Sequence, residues 1–312
     1  MPINNEIFKE LIKRGYSKKK DFRVWDISDS KLWYLTPELA KGFLNLKKYN
    51  PYRARVIDDE LELIKQHSKN IIQKLGNKKF NLIDLGCGNG IKAEAFIKSI
   101  PNDVLLRYCP VDISEYYIDS TKEKIRSIGS SKISAIKPFV IDFRELDKVV
   151  GILRNGEYQK NIYLLLGETI SHYDIHDLLY KISQNMLIGD YIIIGNGIRK
   201  GKRFVNLDKY KNPLFNEWFI HIMEGLGFSS DEVKVNVRFT NERLEGYYSI
   251  LKDKSIDYKG KKVSFKEGDE VIVAIQYKFF ENELKKYCKM YFSEVEILKN
   301  SDEEYCLAVC RK

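Results

Sequence analysis

The sequence predicts an α/β fold: an open, mostly parallel sheet flanked by helices, with a helical N-terminal segment and an inserted α+β subdomain. Two observations carry this. In the middle of the chain, short apolar runs alternate with helical periodicities, and the first run enters a glycine-rich turn that opens a helix. After Gly195 the texture changes to β-like alternation, as expected of an inserted piece.

Residues 1–75 read mostly as helix, packing on the core. Ile57, Leu61, Ile64, Ile71 and Leu75 recur near a 3.6-residue period, and Asp58, Asp59 and Glu60 suit the positive end of a helix. Asn50-Pro51-Tyr52 is a break before it. Residues 76–198 are expected to form the α/β core domain. Strands are expected at 80–85, 105–111, 136–141, 161–166 and 191–194, with helices at 92–100, 114–128 and 174–186. Strands alternating with helices imply parallel pairing through right-handed crossovers. The subdomain, 199–280, is expected to hold one helix at 215–226. Antiparallel strands are expected at 233–239, 244–252 and 271–277, with turns such as Lys259-Gly260, lying as a lid over the carboxyl ends of the parallel strands. Two final strands, 294–299 and 305–310, complete the sheet from 281–312.

Composition narrows the function classes. The chain has 312 residues, 44% hydrophobic and 31% charged, with net charge +9. The lysines are dispersed; Lys18-Lys19-Lys20 and Lys261-Lys262 are the dense spots, which reads as a solvated surface before a polyanion footprint. No apolar run reaches the ~20 residues of a membrane span. The N-terminus lacks a signal-peptide core, so a cytoplasmic protein is expected. The five cysteines are scattered without zinc-ligand spacing, so buried thiols are expected and no metal site.

The strongest motif is Asp84-Leu85-Gly86-Cys87-Gly88-Asn89-Gly90. Glycines let the backbone turn sharply and let a ligand approach it. The spacing is GxGxG after an acid. That suits a ligand with an amino-acid end, such as S-adenosylmethionine (SAM), better than a pyrophosphate. Two further acids end the next strands. Asp112, followed by Ile113, can accept both ribose hydroxyls. Asp142, followed by Phe143, suits adenine through its exocyclic amine and ring face. Helix capping alone would explain one such acid more readily than three in succession. Together they resemble the Rossmann-like class I SAM-dependent methyltransferases.

Further motifs sharpen the likeness: Leu166-Gly167-Glu168-Thr169-Ile170-Ser171-His172, Tyr49-Asn50-Pro51-Tyr52-Arg53, Asn241-Glu242-Arg243-Leu244-Glu245, Glu267-Gly268-Asp269-Glu270 and Tyr277-Lys278-Phe279. In this order they resemble the histidine-specific α-N-methyltransferase family of ergothioneine biosynthesis, over about residues 30–312. The resemblance implies cofactor contacts at Gly86, Gly88, Lys92, Asp112, Asp142, Phe143 and Gly167; Asp84, Cys87 and Ile113, from the motifs themselves, are expected to join them. It implies acceptor contacts at Tyr49, Tyr52, His172, Tyr173, Tyr210 and Gln276. The family's imidazole-gripping glutamate and serine fall at Ala274 and Gln276, its amino-group asparagine at His172, and a pocket methionine at Gly246. An alanine cannot accept an imidazole N–H. The implied function is therefore N-methylation of an amino acid or related small amine other than free histidine.

Methyl transfer from a sulfonium is an in-line displacement that rewards placement of a deprotonated nucleophile. His172, just past the fourth strand on the usual ligand face, and Tyr210 are the candidate catalytic residues. A backbone-bonded helix-start role is the plain alternative for His172. Tyr173, Tyr210, Tyr247 and Tyr248 are candidate pocket linings, although in a chain with 20 tyrosines core or surface roles compete. Arg243 and Glu245 read as surface pairing. A small-molecule acceptor comes first as partner. A protein side chain, RNA or a non-catalytic SAM-binding role is the alternative, and no membrane is expected.

Overall fold

A computed structural model describes residues 3–46, 48, 54–76, 79–200, 207 and 212–312. Tyr49, Tyr52 and Tyr210 lie outside the described residues. The chain forms two compact units, Met1–Lys48 with Phe204–Tyr277, and Tyr49–Arg203 with Lys278–Lys312. In chain order the strands are β1 (Tyr16–Lys18), β2 (Arg23–Asp26), β3 (Lys79–Leu85), β4 (Leu105–Asp112), β5 (Ile133–Ile136), β6 (Phe139–Val140), β7 (Lys160–Leu165), β8 (Tyr191–Gly197), β9 (Val233–Thr240), β10 (Arg243–Ile250), β11 (Lys254–Tyr258), β12 (Lys261–Phe265), β13 (Glu270–Tyr277), β14 (Glu294–Lys299) and β15 (Tyr305–Arg311).

The second unit is built on one sheet, ordered β14-β15-β8-β7-β3-β4-β5, with β6 beside β4. The pairs β3/β4, β3/β7, β4/β5, β4/β6 and β7/β8 are parallel. β15 runs antiparallel to both β14 and β8. The chain lays β4 and β5 on one side of β3 and then β7 and β8 on the other. Such a reversal opens a crevice at the carboxyl ends of the strands. β8 is buried along its whole length, as a strand covered on both faces should be. The helices Asp59–Leu75 and Ile91–Ser99 bring Leu63, Ile64, Ile71, Phe96 and Ile97 against Phe80, Leu82, Leu106, Ile162, Leu164 and Ile193. Each such side chain contributes about 1.5–3 kcal/mol by leaving water. Helix Asp59–Leu75 stops at Gly76, whose φ of 64° lets its N–H turn back to Gln73 O.

The strand expected at 136–141 is divided into β5 and β6. Pro138 has no N–H for the ladder, while Lys137 N still donates to Tyr108 O at 2.8 Å. Helix Glu281–Lys289 precedes β14, so the last segment is not strands alone.

The first unit holds a sheet ordered β1-β2-β13-β10-β9 and the separate hairpin β11-β12. The β13/β2 pair is parallel, and its neighbours are antiparallel. The N-terminal segment, expected to be mostly helix over 1–75, carries helices Asn5–Arg14, Pro37–Leu46 and Asp59–Leu75, but also two unexpected short strands. Helix Asn5–Arg14, capped by the Asn4 side chain, gives way to β1 and β2. These strands of three and four residues are held by a partner some 246 positions away, where Arg23 Nη2 donates to Asp269 Oδ2 at 2.5 Å. Helix Pro213–Gly225 starts at Asn212, whose side chain accepts Leu214 N–H at 2.9 Å. The expected Lys259-Gly260 turn joins β11 to β12, with φ of 52° and 75°. Tyr248, a candidate pocket lining, is a core residue: it is 1% exposed and its hydroxyl donates to Asn216 Oδ1 at 2.9 Å. Tyr247 is half-buried beneath the Arg238 guanidinium. Arg243 and Glu245 do pair, but not on the open surface. Glu245 is buried and accepts from Arg243 and Arg238, because residues two apart on a strand share a face.

Candidate active site

β3 ends at Leu85 and the chain turns through Gly86, Gly88 and Gly90, whose φ angles are 70°, 53° and 72°. Side chains rarely tolerate that region, so glycine is what lets the turn close. Gly86 N donates to Val111 O at 2.8 Å, seating the turn against the end of β4. Asp112 ends β4, and its two oxygens accept the N–H of Gly88 at 3.1 Å and of Ser114 at 2.9 Å. Buried Cys87 has Sγ 3.9 Å from Asp112 Oδ2, and Ile113 is half-buried beside them.

Asp84 is buried one residue before the end of β3 and accepts the Tyr108 hydroxyl at 2.6 Å. Burial pushes its carboxyl up to about 7. The charges of Asp112 and Glu60 add to the rise, while Tyr108 and Lys92 oppose it.

Asp142 caps the short turn Phe143–Glu145, accepting Arg144 N–H at 2.9 Å. Arg144 Nε also reaches its two oxygens at 2.9 and 3.0 Å. Capping and ion pairing thus hold this acid beside Phe143. The Phe143 ring meets Tyr173 edge-on at 5.6 Å, and it is what a Cβ on Gly86 would touch, at 3.7 Å. Gly86, Phe143 and Tyr173 therefore converge.

After β7, Gly167 takes φ 78° and Glu168 takes φ 60°. A single-turn helix, Thr169–His172, follows, and His172 and Tyr173 are both half-buried at its end. Beneath the turn lies Glu60, fully buried. Its Oε1 accepts Gly167 N–H and the Tyr305 hydroxyl, each at 2.9 Å, while its Oε2 faces Lys92 Nζ. Glu60, Tyr108, Tyr305 and Arg144 were not marked by the sequence as site residues. Gln276 lies on β13 in the other unit, half-buried opposite Leu244.

A family model described as "Histidine-specific methyltransferase, SAM-dependent" matches residues 39–312. The chain belongs to this family. It is a SAM-dependent methyltransferase, and SAM is its methyl donor. Several solved structures are similar. A SAM-dependent methyltransferase from Clostridium acetobutylicum is 16% identical, with 87% of this chain and 98% of that one covered at TM-score 0.47. An amino pentose methyltransferase of calicheamicin biosynthesis from Micromonospora echinaspora is 10% identical, with 86% and 97% covered at TM-score 0.44. A putative methyltransferase from Thermobifida fusca is 10% identical, with 91% and 92% covered at TM-score 0.49. No curated protein matches the chain. None of its described helices is long and apolar enough to cross a membrane. All five cysteines are buried and outside disulfides.

The methyltransferase's residues fit its cofactor. A glycine turn that admits backbone approach stands beside a carboxylate, Asp112, suited to a diol, and an aromatic ring, Phe143, faces the same turn.

Proposed function

We propose that this methyltransferase N-methylates an amino acid or related small amine other than free histidine. SAM supplies an electrophilic methyl when bound; the chain supplies binding, orientation and exclusion of water. Asp112 receives the ribose hydroxyls and Phe143 covers the adenine. Asp84 faces the methionyl ammonium. Lys92, in the first turn of the helix after the glycine turn and 18% exposed at its side chain, receives the methionyl carboxylate. His172 touches the acceptor amine.

The observation that carries the acceptor reading is the pair Gly246–Ala274. These residues face each other directly across β10 and β13, and a Cβ on Gly246 would meet that of Ala274 at 3.5 Å. Two small residues stand where the resembled family holds a methionine and a glutamate, so no carboxylate there can accept an imidazole N–H. A buried ligand N–H left without its acceptor loses about 1–3 kcal/mol of binding.

A methyl-transfer screen with labelled SAM tests this, using histidine, other amino acids, small amines, and protein and RNA fractions. The best small amine is expected to exceed histidine clearly; histidine turning over as well as the best acceptor sinks the specificity claim. In His172→Ala, activity on that acceptor should fall while SAM affinity holds, and full activity would remove His172 from the reaction. Asp112→Ala is expected to weaken SAM by about 2–3 kcal/mol, the worth of hydrogen bonds to a charged acceptor. Calorimetry showing wild-type affinity would overturn the ribose assignment.

A further inference from the structure

We propose that Glu60 is a positioning residue for the amino-acid end of the cofactor, holding the Lys92 ammonium and the turn at Gly167 in place. The proposal rests on the reading of Lys92 given above.

Glu60 is a carboxylate with no solvent exposure, which costs free energy unless it is paired and hydrogen-bonded. It sits in the first turn of helix Asp59–Leu75, where a glutamate ordinarily serves its own helix end. Here every hydrogen bond leaves the helix. Gly167 N–H lies 107 positions on, Tyr305 245 positions on, and Lys92 on the helix that follows the glycine turn. Burial and the neighbouring carboxylates raise Tyr305 well above the ordinary tyrosine range, which keeps its hydroxyl a donor to Glu60.

The backbone is cut to admit this group. A Cβ on Gly195 in β8 would lie 1.6 Å from Glu60 Oε1. A Cβ on Gly167 would lie 2.8 Å from Lys92 Nζ. Two glycines at the ends of neighbouring strands thus make room for one ion pair. That pair is asymmetric: the Glu60 side chain is 0% exposed and that of Lys92 18%. The pair is sealed on the Glu60 side, and what solvent exposure it has lies along the Lys92 side chain. A lysine stem has four rotatable carbons, and anchoring it beforehand removes an ordering cost from ligand binding.

The test separates this role from a merely structural one by comparing two ligands. S-adenosylhomocysteine carries the amino-acid end, and 5′-methylthioadenosine lacks it. Dissociation constants of both are measured by calorimetry for the wild type, Glu60→Gln, Lys92→Met and the double variant. Glutamine keeps the acceptor for Gly167 and Tyr305 but turns its amide toward the ammonium. Glu60→Gln is expected to weaken S-adenosylhomocysteine about tenfold and leave 5′-methylthioadenosine unchanged, with the double variant no weaker than Lys92→Met alone. Equal loss for both ligands, or none for S-adenosylhomocysteine, overturns the proposal. If Lys92→Met itself leaves the ratio of the two affinities unchanged, the Lys92 reading fails, and the proposal with it. If Lys92→Met lowers the ratio and Glu60→Gln does not, the proposal fails alone. Should Glu60→Gln not fold, Glu60→Asp, whose carboxylate is withdrawn by one methylene, takes the same measurements and is read the same way.

Discussion

Replacing Gly195 by alanine is expected to destabilise the protein by about 3–5 kcal/mol, the cost of dislodging one member of a buried ion pair. The added methyl would fall 1.6 Å from Glu60 Oε1 and 2.8 Å from its carboxyl carbon. A side-chain end can usually swing aside, but this one accepts Gly167 N–H and the Tyr305 hydroxyl and faces Lys92. Swinging away abandons all three partners of a carboxylate that has no solvent exposure to replace them. At roughly 2–4 °C per kcal/mol for a large domain, Tm should drop by about 10 °C. The decisive comparison is a double-mutant cycle. In a Glu60→Ala background the same glycine change should cost far less, because the space is then vacant. Equal costs in both backgrounds would place the strain somewhere other than the carboxylate.

The second large effect is on pH dependence. Asp84 is buried and its carboxyl is pushed up to about 7. The folded chain therefore binds this proton more tightly than the unfolded chain does. The associated stability is fully present below the unfolded pKa near 4 and is lost as pH rises through about 7. A shift of that size corresponds to a ceiling of about 4 kcal/mol, at 1.36 kcal/mol per unit. In the absence of SAM, Tm is expected to fall between pH 5 and pH 8. Asp84→Asn, which can still accept the Tyr108 hydroxyl, should flatten that fall and melt higher than the wild type at pH 8. The same variant should bind SAM more weakly, since an amide does not neutralise an ammonium. An unchanged slope of Tm with pH in Asp84→Asn would show that another group titrates.

The glycine turn and the acids beside it were largely legible because their signals are local. Gly86, Gly88 and Gly90 announce positive φ within five residues, and Asp84 and Asp112 announce themselves by ending apolar runs. β3, β4, β7 and β8 stand close to where the apolar runs place them. What escaped was set by distant partners. Glu60 reads as an ordinary acid at a helix start, since nothing near it in sequence hints at Gly167 or Tyr305. β1 and β2 are too short to show a period, and the lysine run through residue 20 conceals them. Tyr248 reads like any other tyrosine until its buried cross-strand neighbour Val271 and Asn216 of helix Pro213–Gly225 place it in a core.

The pairing of β2 with β13 also governs the order in which the molecule can be completed during synthesis. Val24 and Trp25 find their partners at Glu270 and Val271, so the first sheet cannot close until the chain has been made through Val271. The parallel sheet, by contrast, gains β3, β4, β7 and β8 by Gly197 and can condense while translation continues. The β1/β2 pair waits through that interval with the β13 side of β2 unpaired, and closing so long a loop makes its docking a late and slow event.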